Sequence, residues 1–171
     1  AAAPVTSHPR LYLTPALAQS LRARAVVSNP VYTNGVRKLA EGFKAKMVSG
    51  EIYQLDDGNP WKGVATGYDI ATGAEVLAFQ SIIDPDPARR ADFGKRARDL
   101  AMYVVDRVLV PEAGKWFDHP IFATDYRGNF HGEAIPLAVD WAYGYFSAAD
   151  KQKVARVFMR WIGQNLTATT S

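Results

Sequence analysis

Residues 71–109 read ATGAEVLAFQSIIDPDPARRADFGKRARDLAMYVVDRVL, and this stretch decides the fold of the chain. Apolar side chains recur at helical spacing on both sides of the DPDP sequence at residues 84–87. Proline ends one helix there and suits the first position of the next. The stretch therefore predicts two consecutive helices. Their apolar faces carry Ile70, Ala74, Leu77 and Ala78, then Phe93, Ala97, Leu100, Ala101, Val104 and Val108.

Four further helices are predicted outside this pair, at about residues 15–27, 30–48, 133–146 and beyond Ser147. Thr14-Pro15 and Asn29-Pro30 are typical helix starts, and Gly50 is a typical helix end. Ser147 and Asp150 resemble a capping box with Asp in place of the usual Glu or Gln. The apolar faces of the first, second and last helices carry Leu17, Leu21 and Ala25; Val31, Val36, Leu39 and Phe43; and Val154, Val157, Phe158, Trp161 and Ile162.

These patterns predict an all-α protein built from stacked antiparallel helical hairpins. No segment shows the alternation typical of a half-buried strand. Residues 1–171 fit one domain, with residues 1–13 as an extended lead-in. Two irregular stretches, residues 50–66 and 111–129, interrupt the helices, and loops of this length usually carry function or lie against a partner surface.

Composition excludes several classes of function. Hydrophobic residues make up 48% and charged residues 22% of the chain, which indicates a folded protein. The 20 basic and 17 acidic residues leave a net charge of +3, and the basic residues are scattered without a nucleic-acid-binding motif, so no nucleic-acid partner is expected. There is no cysteine, which excludes disulfides and thiolate metal sites. No apolar run is long enough to span a membrane.

The first residues, AAAPVTS, are typical of the mature end that remains after a secretory signal is removed. We therefore expect a secreted or periplasmic protein. A modest positive charge would suit an anionic polysaccharide as partner.

Residues 124–132, TDYRGNFHG, are the strongest candidate for a substrate site. Arginine pairs with carboxylates, asparagine donates hydrogen bonds and tyrosine stacks on sugar rings. Histidine can act as a base near neutral pH. The candidate substrate-binding residues are Tyr126, Arg127, Asn129 and His131. The competing interpretation is a loop that leads into a helix, with Glu133 favouring the helix N-terminus.

Other polar and aromatic residues have two interpretations each. Asp140 lies in an apolar helix and needs partners; it is either a tie between elements or an acid with a raised pKa. His8, before a proline, is expected to be structural or exposed, and His119 to contact solvent or backbone. Trp161 is expected in the core, whereas Trp61 and Trp116 lie in loops and are candidate sugar platforms. No metal-binding motif is present.

Three segments, residues 8–25, 71–109 and 134–162, together resemble the N-terminal part of the heparinase II/III-like and alginate-lyase polysaccharide lyases. They include HPRLYLTPALAQSLRARA, the helical pair with its Asp-rich turn, and AIPLAVDWAYGYFSAADKQKVARVFMRWI, where Val139 replaces a common tyrosine. In order and spacing the three segments cover most of the chain.

The resemblance implies part of an α/α-toroid and an enzyme that cleaves a uronate-containing polysaccharide by β-elimination, with no redox cofactor. In these families the catalytic Asn-His pair and Tyr follow the Asp-Trp hairpin, whereas the string at residues 129–132, NFHG, precedes it. Catalytic residues are therefore not assigned. We expect this chain to be the N-terminal portion of a longer enzyme. The remainder of the toroid, or another chain, would then cover an apolar edge.

Two alternatives stay open. The first is a glycoside hydrolase on a similar toroid, with Glu133 and Asp140 or another carboxylate pair as acid and base. The second is a non-catalytic helical module for carbohydrate binding or assembly.

Overall fold

The computed structural model describes the backbone of residues 7–53, 62–109 and 126–167, and the side chains of all of these except 62–69, 107, 108, 126–131, 164, 165 and 167. The described chain is helical and contains no strand, which confirms the all-α class. Its α-helices are α1 (Pro15–Arg24), α2 (Lys38–Ser49), α3 (Lys62–Ile83), α4 (Pro87–Leu109), α5 (Tyr126–Trp141) and α6 (Ala148–Thr167). A π-helical turn, Val31–Arg37, leads directly into α2, and 3-10 turns lie at Glu51–Tyr53 and Tyr143–Tyr145.

The helix boundaries follow the predicted capping residues. Thr14 Oγ1 accepts a hydrogen bond from the Leu17 amide at the start of α1. Gly50 ends α2 in the left-handed conformation, with φ of 77°. Ser147 and Asp150 exchange two hydrogen bonds at the start of α6, so the predicted capping box is confirmed.

The hairpin of α3 and α4 forms the centre of the core. The described residues of both predicted apolar faces are buried, including Leu77 and Leu100. At Gly73, an added β-carbon would lie 3.0 Å from side-chain atoms of both Leu100 and Phe43, so glycine permits the close approach of α2, α3 and α4 there. Helix α3 also packs against α1, α2 and α5, whereas α6 packs against α4.

The hairpin of α5 and α6 corrects one prediction. Helix α5 begins at Tyr126, not near residue 133, so the predicted loop before Glu133 is helical from residue 126 onward. A β-carbon at Gly132 would overlap the Trp161 ring of α6. This contact joins the first half of α5 to the second half of α6, so the two helices run antiparallel. Tertiary packing here outweighs the low helix propensity of glycine.

The two hairpins lie side by side, with α3 beside α5 and α4 beside α6. Arg98 and Asp150 form an ion pair at 2.7 Å, and further along the same helices Lys153 Nζ lies 2.7 Å from Asp106. Residue numbers rise together in the two contacts, so α4 and α6 run in the same direction. Because each hairpin is antiparallel, α3 and α5 also share a direction.

The predicted apolar faces of the first two helices are confirmed in part: Ala25 and Phe43 are buried, and Leu21 and Val36 pack against the core. Leu17, Val31 and Leu39 are exposed, Val31 by 74% and Leu39 by 50%, while the neighbouring Ala18, Tyr32 and Ala40 are buried. When two adjacent faces of a helix both contain apolar residues, helical spacing alone does not show which face is buried. Helix α1 ends at Arg24 rather than near residue 27, and α3 begins at Lys62 within the predicted loop 50–66.

The second half of α6 also differs from the prediction. Val154 and Val157 are buried as expected, but Ile162 is 50% exposed and Trp161 is only half-buried. An exposed apolar stripe therefore runs along this half of the helix, formed by Met159, Ile162 and Leu166. Within the described residues, no helix combines the length and the apolar character needed to cross a membrane.

Candidate functional site

The four predicted substrate-binding residues, Tyr126, Arg127, Asn129 and His131, belong to the first turns of α5. Their backbone is helical, but their side chains lie outside the described part of the structure. Trp61, Trp116 and His119 lie outside the described residues as well. The roles predicted for these residues therefore stay predictions.

Asp140, the second candidate, is 4% exposed and is held by the N-terminal segment. Its Oδ2 accepts hydrogen bonds from the backbone amides of Arg10 at 2.8 Å and Leu11 at 2.9 Å. Its Oδ1 lies 2.5 Å from His8 Nδ1. Both carboxylate oxygens are thus occupied, and the need of a buried carboxylate for partners is met by structural contacts.

Neighbouring aromatic residues complete the attachment of this segment, residues 7–13, which we call the N-terminal strap. Trp141 Nε1 donates a hydrogen bond to the Leu11 carbonyl at 2.9 Å. The His8 ring stacks on Tyr143, with centroids 3.7 Å apart. Asp140 is therefore a tie between the strap and α5, and His8 is structural. This occupation argues against the acid–base pair of Glu133 and Asp140 considered for a hydrolase.

Asp84 is a second buried carboxylate, and it too is fully engaged. It accepts hydrogen bonds from Gln80 Nε2 at 2.7 Å, Tyr32 Oη at 3.3 Å and the Asp86 amide at 2.9 Å, and Arg89 Nη2 lies 3.1 Å away. Burial is the main cause of the raised pKa of the Tyr32 hydroxyl. These contacts join the π-helical turn to α3 and α4, so this cluster also serves the fold.

An open groove runs along the face of the π-helical turn and α2. It consists of two hollows, each of about 500 Å³, that share Gly35 and Leu39. The first hollow is lined by Asn34, Gly35, Lys38, Leu39, Gly42, Phe43 and Lys46. The second is lined by Gly35, Val36, Leu39, Glu75, Val76, Phe79 and Trp141. We call this surface the α2 groove.

Two glycines keep the α2 groove open. A β-carbon at Gly35 or Gly42 would meet no atom within 4 Å, so any larger side chain there would extend into open space. Gly35 lies in the π-helical turn, and π-helical turns are often found at functional sites. From Asn34 to Lys46 the chain advances roughly 18 Å at helical rise, so the groove is long enough for an extended ligand.

The two hollows differ in charge. Lys38 and Lys46 line the first, where Lys46 Nζ lies 5.9 Å from the centre of the Phe43 ring. The second has aromatic walls, because Phe79 and Trp141 contact each other with ring centroids 5.6 Å apart. Such walls suit the apolar faces of sugar rings, and ammonium groups suit carboxylates.

Glu75 is the charged residue among the described side chains that line the second hollow. Burial raises the pKa of its carboxyl group, and the negative charge of Glu133 on α5 raises it further. No described residue donates a hydrogen bond to it or forms an ion pair with it. A carboxyl group with a raised pKa in a cleft is a candidate functional group.

Sequence reasoning missed Glu75, although one signal was available. Glu75 is the only charged residue between Ile70 and Ile83, in a segment that otherwise reads as core. The geometry thus brings together a carboxyl group, an aromatic pair and two lysines in one groove. Comparisons of the chain with protein-family models, with curated proteins and with solved structures find no match.

Proposed function

We propose that this chain is the helical part of an exported, lyase-like enzyme that acts on an acidic, uronate-containing polysaccharide, and that the polysaccharide binds along the α2 groove. One observation carries this proposal: the groove is long and open, with lysines in one hollow and an aromatic pair in the other. A linear sugar polymer needs such a surface, since ring faces stack on aromatic side chains and carboxylates pair with cations.

The arrangement of the helices supports a toroid. Two antiparallel hairpins lie side by side with corresponding helices running in the same direction, which is how repeated hairpins stack in α/α architectures. The exposed stripe of Met159, Ile162 and Leu166 supports the idea that further hairpins, or another chain, cover α6.

In β-elimination a base removes the proton at C5 of the uronate, and a neighbouring group stabilises the charge that spreads into the carboxylate. The described residues contribute binding and orientation: Lys38 and Lys46 attract the carboxylates, and Phe79 and Trp141 orient a ring. The predicted contacts from Tyr126, Arg127, Asn129 and His131 belong to this proposal. No catalytic base is assigned.

A glycoside hydrolase is the second candidate, and one observation favours it. Glu75 and Glu133 interact as like charges, and the interaction contributes to the raised pKa of Glu75. Two carboxyl groups that face one cleft are the acid and base of many hydrolases. Under this hypothesis the acid and base would be Glu75 and Glu133, not Glu133 and Asp140. A non-catalytic module would use the same groove for binding alone.

A groove-filling variant tests the binding surface. Gly42→Leu places a side chain into the open first hollow, and Gly163→Leu makes the same change at an exposed position of α6 where a β-carbon also meets no atom within 4 Å. Binding to alginate, polygalacturonate and heparin is measured by calorimetry. We expect Gly42→Leu to weaken binding about tenfold or more, equivalent to ~1.4 kcal/mol, and Gly163→Leu to leave it unchanged.

Equal binding by the two variants would exclude the α2 groove as the polysaccharide surface. The reaction type is tested separately on the natural full-length protein. Absorbance of an unsaturated uronate product indicates a lyase, and new reducing ends without that absorbance indicate a hydrolase. Absence of both products from every uronate polymer would leave the non-catalytic module as the function.

A further inference from the structure

The N-terminal strap holds one wall of the second hollow by a direct hydrogen bond. Trp141, which lines that hollow, donates from Nε1 to the carbonyl oxygen of Leu11 at 2.9 Å. The residue before it, Asp140, accepts hydrogen bonds from the backbone amides of Arg10 and Leu11 at 2.8 and 2.9 Å. Because Nε1 is the only hydrogen-bond donor of the indole ring, the contact with Leu11 fixes the orientation of that ring beside the groove.

The strap also lies behind the hollow. Leu13, its last residue, is 6% exposed and belongs to the apolar cluster that contains Ile83. Three residues that line the second hollow pack against this cluster: Val36, Phe79 and Trp141. Displacement of the strap would therefore remove packing from the back of the aromatic pair and release the Trp141 ring.

A strained turn at Tyr12 orients the Leu11 carbonyl. The Leu13 amide donates a hydrogen bond to the same carbonyl at 2.7 Å, which closes a γ-turn around Tyr12. Tyr12 has a φ of 58°, a left-handed conformation that residues other than glycine adopt at a cost. Its own side chain is 82% exposed. The strained backbone is therefore maintained by the contacts of Leu11 and Leu13 on either side of it.

We propose that the N-terminal strap positions Trp141 for polysaccharide binding, so that docking of the strap and occupation of the second hollow are coupled. The inference rests on the function proposed above and identifies what holds the aromatic wall of the binding surface in place. Stacking on a ring that is already oriented avoids the cost of ordering it, so an undocked strap lowers the affinity of the groove. Coupling is reciprocal, so a ligand in the groove stabilises the docked strap.

Two substitutions at Tyr12 test the coupling without changing a groove residue. Tyr12→Pro and Tyr12→Gly remove the same exposed side chain, but proline cannot adopt a positive φ, whereas glycine adopts it without strain. Binding of hexagalacturonate is measured by calorimetry. We expect Tyr12→Pro to weaken binding about five- to tenfold, the lower end of the usual range for coupled sites. Tyr12→Gly keeps the turn and is expected to bind within about twofold of the parent.

Trp141→Phe separates positioning from a general loss of stability. It keeps an aromatic ring but lacks the indole N–H that contacts Leu11. We expect it to weaken binding by itself and to make binding insensitive to Tyr12→Pro, because the contact that transmits the effect is already absent. In protein labelled with fluorinated tryptophan, the fluorine resonance of Trp141, assigned by its loss in Trp141→Phe, is expected to shift in Tyr12→Pro and to stay unchanged in Tyr12→Gly.

Hydrogen exchange in the parent measures the reciprocal effect. Saturating hexagalacturonate is expected to slow exchange of the Arg10 and Leu11 amides, which donate to Asp140, by about five- to tenfold. The Arg90 amide at the start of α4, which donates to the Asp86 carbonyl, is the reference and is expected to exchange at the same rate with and without ligand. No variant is needed, so the coupling is tested even where a substitution unfolds the protein.

The outcomes separate this inference from the proposed function. Equal binding by Tyr12→Pro and Tyr12→Gly, or unchanged exchange of the strap amides in the bound parent, would overturn the coupling and leave the polysaccharide function intact. An equal loss from Tyr12→Pro in the parent and in Trp141→Phe would also overturn the positioning of Trp141. No binding of hexagalacturonate by the parent would overturn both proposals. Thermal unfolding verifies that each variant is folded.

Discussion

Asp140 and Glu75 are both carboxylates on largely apolar helices that pack side by side, yet their surroundings are opposite. Asp140 is 4% exposed, and its two oxygens are occupied by His8 and by backbone amides of the N-terminal strap. Glu75 is half-buried beside an open hollow. Among the described groups, the charge that affects its pKa is that of another carboxylate, Glu133. The comparison shows that hydrogen-bond partners, more than the degree of burial, distinguish a structural carboxylate from a candidate binding carboxylate.

The largest effect is expected at Asp140, where both carboxylate oxygens have partners. Asp140→Ala would leave His8 and two backbone amides without their acceptor, and we expect a loss of about 3 kcal/mol in the free energy of unfolding, measured in urea. Asp106→Ala is the control, because it removes an exposed ion pair with Lys153 worth less than about 1 kcal/mol. Equal losses in the two variants would mean that the strap contributes little stability.

Adding a single methyl group at a glycine compares a tightly packed position with a position in the open α2 groove. Gly132→Ala is expected to destabilise the protein by about 2 kcal/mol, because the added β-carbon overlaps Trp161 and forces the ring to move. Gly42→Ala adds the same atom in the open groove and is expected to stabilise α2 by up to about 1 kcal/mol. Thermal unfolding compares the two variants, and shifts of the same sign would contradict the packing described for α5 and α6.

The smallest effect is expected at Glu75. Because its folded-state pKa is raised, the folded protein binds more protons than the unfolded chain, so stability decreases as pH rises from about 4.5 through the raised pKa. Glu75→Gln should lack this decrease and gain at most about 1 kcal/mol at neutral pH, since water screens a half-buried group. Urea unfolding from pH 4 to pH 8 measures the difference, and identical profiles would mean that Glu75 is ionised without cost.

Much of the fold was predictable from local signals. The turn at residues 84–87, the caps at Thr14 and Gly50, and the capping box at Ser147 each depend on residues near in sequence. The start of α5 was not predictable, because the contact of Gly132 with Trp161 joins residues far apart and outweighs glycine's poor helix propensity. The exposure of Leu17, Val31 and Leu39 was missed for a related reason, because helical spacing does not show which of two adjacent apolar stripes packs against another helix.

The candidate site was harder to predict than the fold. Both hollows of the α2 groove combine small, aromatic and charged residues, and the second takes Gly35, Glu75 and Trp141 from three separate segments. No local motif links these positions. The structural role of Asp140 was accessible, since a buried carboxylate requires partners, but the partners at His8, Arg10 and Leu11 were not.

The N-terminal strap also has a consequence for the order of folding. Its contact between His8 and Asp140 closes a loop of 132 residues, whereas Gln80 and Asp84 pair across four. Closing the longer loop costs more chain entropy, so the local hairpins are expected to form first and the strap to dock last. Asp140→Ala should then speed unfolding and leave the folding rate nearly unchanged in stopped-flow measurements. The strap would thus act as a latch whose closure sets the lifetime of the native state.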